Sequence, residues 1–167
     1  MELYLLRHGL AVPRDTRDYP RDADRPLTPA GIKKTRQIAK GMKKLGLTWD
    51  RILSSPYLRT KQTAEIVASI YKKTPVAIIP ALMPEAKPGA LGALLHTKKS
   101  KRLLLVGHEP FLSQFISLLL TGREQAVSLA LKKGGLCVLT TKPLRSSSRA
   151  ELQGLLTPRQ LCRLGKS

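Results

Sequence analysis

Short apolar runs alternate along the chain with longer segments in which apolar residues recur at helical spacing. The runs rich in Leu, Ile and Val predict strands at residues 2–6, 51–54, 76–80, 102–106 and 135–141. The other segments predict helices that begin at Thr28–Pro29, at Ser55–Pro56 and at Pro110, and shorter helices over 88–96 and 157–165. Strands separated by helices indicate an α/β protein, here a three-layer sandwich with a mainly parallel central sheet.

Chain length and the absence of long apolar segments limit the class of protein. The 167 residues fit one domain, which we take to cover residues 1–167. No apolar run approaches the roughly 20 residues that span a bilayer, and the amino terminus resembles no secretory signal, so we expect a cytoplasmic protein without membrane contact. Cys137 and Cys162 lie far apart and outside any metal-ligand spacing. We therefore expect reduced thiols, with no disulfide and no zinc site.

Arginine and histidine residues follow the predicted strands. Arg7 and His8 come directly after the first strand, His108 follows the fourth, and Arg59 lies in the helix after the second. Ligands of such sheets bind outside the carboxyl ends of the strands, so these side chains are expected to share one crevice. Two arginines, two histidines and a helix amino terminus favour a tetrahedral oxyanion.

The excess of basic residues is the most unusual bulk property. Lys and Arg number 30 against 11 Asp and Glu, for a formal net charge of +19. The basic clusters are spread along the chain, at 33–34, 43–44, 72–73, 98–102, 132–133 and 141–149. They lack the interleaved aromatic residues that stack on bases. Two interpretations remain open: a solvated basic surface, or weak attachment to nucleic acid, polyphosphate or an acidic protein.

Four motifs in order identify a resemblance to a known family. They are L-R-H-G at 6–9, R-P-L-T-P-A-G at 25–31, S-S-P-Y-L-R-T-K-Q-T at 54–63 and V-G-H-E-P at 106–110. Together they resemble the histidine phosphatase superfamily, and the D-x-x-R-P-L-T segment at 22–28 is similar to the SixA-type phosphohistidine phosphatases. The resemblance implies a phosphoglycerate-mutase-like fold and phosphoryl transfer through a phosphohistidine intermediate, with neither metal nor other cofactor. It extends over most of residues 1–120.

The resemblance also implies a role for each matching side chain. His8 is the nucleophile, with its second ring nitrogen held by a backbone carbonyl, for which we expect one in the turn at 9–12. Arg7 and Arg59 bind the non-bridging phosphate oxygens, and His108 donates to the same oxygens as an imidazolium. Arg25, at the end of the polar loop 14–26, either contacts the phosphate or gates the mouth of the site.

Three carboxylates, in or near the matching segments, are assigned different roles. Larger members of the superfamily carry an acidic proton donor after the third strand, and in the matching segment, 81–91, Glu85 is the only carboxylate. Glu85 is either that donor or an exposed loop residue, since SixA-type members often lack the acid. Asp22 and Glu109 are interpreted as residues that cap helices or order loops.

The sequence is compatible with three functions. The first is a phosphatase that acts on phosphohistidine in a protein such as a histidine phosphotransfer domain. The second is a small-molecule phosphomonoesterase on the same fold. The third is a non-catalytic basic module that binds nucleic acid or polyphosphate, and such a module has no need of His8.

Overall fold

The strands in the described part of the chain form one mixed sheet of six. The structure, a computed structural model, describes residues 1–14, 17–72, 74–97, 100–142 and 149–166. The strands are β1 (Glu2–Arg7), β2 (Arg51–Ser54), β3 (Val76–Ile78), β4 (Arg102–Gly107), β5 (Leu136–Thr141) and β6 (Ala150–Leu156). Their order across the sheet is β3-β2-β4-β1-β5-β6. The first four are mutually parallel, whereas β5 and β6 are antiparallel to their neighbours.

Helices cover both faces of the sheet. They are α1 (Pro29–Lys44), α2 (Leu58–Ile70), α3 (Pro88–His96), α4 (Phe111–Thr121) and α5 (Pro158–Lys166). Alternate residues of β1 face opposite cores: Leu3 and Leu5 pack with α3 and α4, and Tyr4 and Leu6 pack with α1, α2 and α5. The sheet is buried on both sides there, so its central strands are continuous apolar runs. The predicted α/β sandwich with a mainly parallel sheet is confirmed.

The strand at the edge of the sheet was missed by the sequence interpretation. β6 pairs with β5 alone and carries the exposed apolar residues Leu152 and Leu155. Its sequence, AELQGLL, mixes polar residues and a glycine with leucines, which weakens the alternation that predicts a strand. The preceding basic segment, 141–149, lies mostly outside the described residues, as do parts of 14–26, 72–73 and 98–102.

Two other predicted boundaries are wrong. The helix expected from Ser55–Pro56 begins at Leu58, because Ser55 still continues the sheet edge, with its N–H donating to the carbonyl of Val106 at 3.1 Å. The third strand ends at Ile78, and Pro80 opens a short 3-10 turn instead of ending the strand. By contrast, Thr28 caps α1 as predicted, and its hydroxyl accepts from the N–H of Gly31 at 2.9 Å.

Helix α5 packs against α1 with almost no space between the two backbones. A Cβ placed on Gly165 would lie 1.9 Å from the carbonyl oxygen of Gln37, and one on Gly41 would lie 2.0 Å from that of Leu161. Glycine is required at both positions for this close approach. Among the residues that the structure describes, no helix is long and apolar enough to cross a membrane.

Candidate active site

The pairing of β1 with β4 brings the two strand-end histidines together. Arg7 is in register with Gly107, and the N–H of His8 donates to the Gly107 carbonyl at 3.1 Å. The rings of His8 and His108 consequently lie 5.3 Å apart, centroid to centroid. Arg59, the second residue of α2, joins them from the neighbouring strand β2. The structure therefore brings His8, His108 and Arg59 together as expected from the sequence, and Arg7 lies close enough for its charge to act on both histidines.

His8 is held as a neutral imidazole with one nitrogen available. Its Nδ1 lies 2.7 Å from the carbonyl oxygen of Gly9, which can only accept, so Nδ1 carries the proton and Nε2 the lone pair. Burial lowers the pKa of His8 to about 3; the Gly9 hydrogen bond opposes this shift, and the charges of Arg59 and Arg7 add to it. The carbonyl expected in the turn at 9–12 is that of Gly9. At neutral pH, Nε2 is an uncharged nucleophile.

Gly9 allows this turn to pack tightly between two helices. Its N–H donates to the hydroxyl of Thr63 in α2 at 3.1 Å. A Cβ at this position would lie 2.4 Å from the hydroxyl of Thr35 in α1. The glycine that follows His8 in the L-R-H-G motif is therefore required by the close approach of α1 and α2 to the turn.

The guanidinium of Arg59 is shared between His8 and Asp22. Its Nε donates to Nε2 of His8 at 3.3 Å, which agrees with a lone pair on that nitrogen. Nη1 donates to the backbone carbonyl of Asp22 at 2.7 Å, and Nη2 to its carboxylate at 2.9 Å. Asp22 thus holds the end of the guanidinium and leaves the Nε side facing the nucleophile. Arg59 is buried, which lowers its pKa, although Asp22 opposes the shift.

Arg25 reaches the site only through Asp22 in the described contacts. Its Nε and Nη2 both donate to the Asp22 carboxylate, and its Nη1 donates to the carbonyl of Val12 at 2.6 Å. Arg14 donates to the same carboxylate at 3.1 Å. Partial burial would raise the pKa of Asp22, but hydrogen bonds from Arg25 and Arg59 hold it well below its usual range. Asp22 orders the loop, as interpreted from the sequence, and Arg25 orients Asp22.

His108 is uncharged in the ligand-free site. Burial lowers its pKa to about 2, and the nearby Arg59 and His8 lower it further. Its Nε2 lies 2.9 Å from the hydroxyl of Ser55, and its buried Nδ1 has no hydrogen-bond partner among the described residues. The imidazolium expected from the sequence therefore requires a bound anion, because a dianion beside the ring would raise the pKa of His108.

Arg7 is oriented by a loop that the sequence interpretation did not connect to the site. Its Nη1 donates to the carbonyl of Leu131 at 2.7 Å. The N–H of Leu131 in turn donates to the carboxylate of Glu109 at 2.8 Å, and Ser113 donates to the other oxygen of that carboxylate. Glu109 is therefore a loop-ordering residue. Burial lowers the pKa of Arg7, and its Nε is buried with no partner among the described residues.

Tyr57 is a further site residue that the sequence interpretation missed. Its ring packs against that of His108, with centroids 5.0 Å apart, and lies 4.9 Å from the guanidinium carbon of Arg59. Its hydroxyl donates to the carboxylate of Glu85, 3.2 Å from either oxygen. Burial and the Glu85 carboxylate raise the pKa of Tyr57. Its place in the S-P-Y-L-R segment, two residues before Arg59, was the available signal.

Glu85 lies at the rim, one side chain away from the histidine pair. It is exposed, and in the described contacts its carboxylate meets the hydroxyl of Tyr57. The structure thus places Glu85 near the site without bringing it against His8. In the part of the chain described, no group of three or more His, Cys, Asp or Glu side chains is arranged to hold a metal ion.

The geometry suits an oxyanion bound between the arginines and histidines. Two of the four central side chains, Arg7 and His108, carry buried polar atoms without a hydrogen-bond partner in the described part of the chain. Leaving a buried donor or acceptor unpaired costs about 1–3 kcal/mol, which a hydrogen-bonding ligand recovers. Arg59 places fixed positive charge beside Nε2 of His8, next to the position where the equatorial oxygens of a phosphoryl group on that nitrogen would carry negative charge.

Comparison with known proteins gives the class. Residues 3–85 match the model of the histidine phosphatase superfamily, branch 1, and the chain belongs to that superfamily, whose membership indicates phosphatase activity. Within it, the chain is of the SixA type. It is 29% identical over 126 residues to the phosphohistidine phosphatase SixA of Escherichia coli. The match covers 73% of this chain and 76% of that protein.

Two further similarities cover nearly the whole chain. An uncharacterized protein of Picosynechococcus sp. is 37% identical over 166 residues, 96% of this chain and 99% of that protein. The structure of a protein histidine phosphatase SixA complexed with tungstate superposes with a TM-score of 0.83 at 24% identity, covering 96% of this chain and 99% of the other. The phosphoglycerate-mutase-like α/β fold predicted from the sequence is thereby confirmed.

Proposed function

We propose that the protein removes phosphate from phosphohistidine on a protein, through a phosphorylated His8. The observation that carries the proposal is the state of His8: Nδ1 is pinned to the Gly9 carbonyl, and the unprotonated Nε2 faces Arg59. A protein that only bound anions would gain nothing from keeping a buried imidazole neutral among cations. A nucleophile requires it.

The reaction takes two displacements at phosphorus. In the first, Nε2 of His8 forms a bond to phosphorus while the bond from phosphorus to the substrate's imidazole nitrogen breaks, and that imidazole takes a proton from solvent. In the second, water attacks phospho-His8, one proton leaves the water, and inorganic phosphate and neutral His8 result. Arg7, Arg59 and His108 bind the equatorial oxygens throughout, so the side chains supply the positive charge and the proposal includes no metal or cofactor.

The similarity to SixA proteins supports phosphohistidine as the substrate. Phosphohistidine releases imidazole, a leaving group that solvent can protonate at neutral pH, so its hydrolysis needs little from an enzymic acid. This fits a site in which Glu85 is exposed and its carboxylate accepts from the hydroxyl of Tyr57. A histidine phosphotransfer domain in the cytoplasm is the class of substrate we propose.

A small-molecule phosphomonoesterase is the second candidate, and one contact favours it. Glu85 meets Tyr57, whose ring packs on His108, so a carboxylate is present at the rim where a leaving alkoxide would need a proton. Specificity constants decide between the two. The protein is incubated with a phosphorylated phosphotransfer domain, free phosphohistidine and a panel of alkyl and aryl phosphates, with a chelator and no added metal. A higher kcat/KM on the phosphorylated domain supports the proposal, and a preference for compact phosphomonoesters contradicts it.

A further inference from the structure

A groove with a strongly basic lining runs between α1 and α5. It has a volume of about 570 Å³ and is open to solvent. We call it the α1–α5 groove and define it by its lining residues: Ala30, Lys33, Lys34, Gln37, Arg159, Cys162, Arg163 and Lys166. Five of these carry a positive charge, and none carries a negative one. The glycines that bring the two helices into contact also bring the cations of both helices to the same groove.

These cations have no acidic partner among the described residues. The ion pairs found there involve Asp22, Asp24 and Asp50, and none of these touches the groove. Five like charges that converge without a counter-charge repel one another and create a positive potential over this face. Two of these charges also act on Cys162: burial raises the pKa of its thiol, and Lys34 and Lys166 oppose that shift. An anionic partner would relieve the repulsion.

The groove begins beside the mouth of the active site. Ala30 precedes Gly31, at which a Cβ would lie 2.0 Å from the carbonyl oxygen of Leu10, only two residues after His8. From Ala30 to Gln37 the lining follows α1 for about 10 Å. At the other helix, Pro158 packs against Gly134, whose N–H donates to the carbonyls of Arg7 and His8. A macromolecule with a side chain in the site would therefore extend over the groove.

We propose that the α1–α5 groove docks an acidic surface of the phosphoprotein substrate, next to its phosphorylated side chain. The inference rests on the proposed function. A protein is favoured over a nucleic acid because no aromatic residue lines the groove to stack on bases, and because the groove adjoins a site built for a single phosphoryl group. Carboxylates of a helix or loop would neutralise the cations while the phosphorylated side chain enters the crevice.

A charge-reversal variant with a matched control tests the docking surface. Lys33→Glu/Arg163→Glu reverses one cation on each helix of the groove. Lys40→Glu/Arg51→Glu makes the same change in net charge at exposed positions outside it. The kinetics of each are measured on an acidic phosphotransfer domain phosphorylated on histidine, and on free phosphohistidine. Free phosphohistidine carries no docking surface, so unchanged turnover of it shows that the variant is folded.

We expect the groove variant to lose about tenfold or more in kcat/KM on the phosphorylated domain, mainly through KM, and to stay within about twofold on free phosphohistidine. The control variant should match the wild type on both.

Equal losses in both variants, or no loss in the groove variant, would overturn the docking inference and leave the proposed function standing. A wild type that hydrolyses only small phosphomonoesters would instead overturn the proposed function, and the docking inference with it. Unchanged kinetics with lost binding to polyphosphate or DNA would assign the groove to a polymer.

Discussion

The Nε of Arg59 lies 3.3 Å from Nε2 of His8, the nitrogen that is to receive the phosphoryl group. A phosphoryl group on that nitrogen would therefore have the guanidinium beside it from the moment the bond forms. Asp22 holds the two terminal nitrogens of Arg59, so the guanidinium stays beside the site when its Nε–H releases the lone pair of His8 to the phosphorus. Preorganised charge of this kind is the main contribution that a protein makes to phosphoryl transfer.

Arg59→Lys should therefore fail to replace the arginine. A lysine ammonium is a point charge and cannot contact the Asp22 carbonyl, its carboxylate and the phosphoryl group in one fixed plane. We expect kcat to fall by about tenfold to a hundredfold or more, since a hydrogen bond to a charged group contributes about 1.5–3 kcal/mol. Inhibition constants for vanadate should rise in parallel. An unchanged vanadate constant in Arg59→Ala would place the residue outside the phosphate site.

Phosphorylation of His8 is the second prediction. Enzyme quenched during turnover of a ³²P-labelled phosphohistidine substrate should carry label that is labile in acid and stable in base. His8→Ala should carry none and should have no measurable turnover, because among the described residues no other imidazole has its Nε2 on Arg59. Lys61→Ala, a change at a partly exposed position of α2, serves as the control for handling losses. Full activity in His8→Ala would refute the mechanism.

Stability should fall as the pH falls, because both site histidines are buried uncharged. The pKa of His8 is lowered to about 3 and that of His108 to about 2, against an unfolded value of about 6.5. Between these limits the unfolded chain binds more protons, so the free energy of unfolding decreases as pH drops through 6.5 toward 3. Each histidine contributes a slope of up to about 1.4 kcal/mol per pH unit.

Urea denaturation of the wild type and of His8→Asn at several pH values measures that slope. The asparagine variant should lose the contribution of one histidine and show a shallower decline below pH 6. A decline of the same steepness in both proteins would mean that His8 is charged in the folded state.

Asp22 should be important for stability as well as for activity. Three arginines, Arg14, Arg25 and Arg59, donate to its carboxylate, so Asp22→Ala leaves the buried Arg59 guanidinium without its partner. We expect a loss of about 1–3 kcal/mol in the free energy of unfolding, together with slower turnover. Asp24→Ala is the matched control, because Asp24 pairs only with Arg21 at the surface and should cost under about 1 kcal/mol. Equal costs in the two variants would contradict the role assigned to Asp22.

The parts of the site that the sequence predicted are those fixed by sheet geometry. Arg7, His8 and His108 come at the carboxyl ends of apolar runs typical of a mainly parallel sheet, and ligands of such sheets bind at those ends, so a shared site could be predicted. Tyr57 and the Leu131 carbonyl could not be found in this way. Leu131 contributes a backbone atom, which carries no residue signature, and it reaches Arg7 only because Glu109 holds its N–H.

Sequence patterns also failed to predict strand β6 and the first residue of α2. β6 is an edge strand in which Leu152 and Leu155 are exposed, so its apolar residues do not show the alternation of a strand with one buried face. Ser55 resembles a helix cap in sequence, but the chain uses its hydroxyl for His108 and delays α2 to Leu58. At β6 the local pattern was too weak to predict a strand. At Ser55, contacts with the distant residues Val106 and His108 overrode a clear local signal.

The last prediction uses leaving-group chemistry to define the role of Glu85. Phosphohistidine expels imidazole, which solvent can protonate, whereas an alkyl phosphate expels a strongly basic alkoxide and needs an acid in the site. Glu85 is exposed, and its carboxylate lies on the hydroxyl of Tyr57 instead of facing His8. We therefore expect Glu85→Gln to leave turnover of both substrates unchanged, with the wild type poor on alkyl phosphates and competent on phosphohistidine. Tyr57→Phe, which removes the hydroxyl but keeps the ring on His108, should behave in the same way.

A loss of about a hundredfold confined to alkyl phosphates would show instead that Glu85 is the proton donor and would favour the phosphomonoesterase. A large and equal loss on both substrates would mean that the Glu85–Tyr57 contact holds the pocket in shape, because a change in proton transfer alone cannot slow a leaving group that needs no proton from the enzyme.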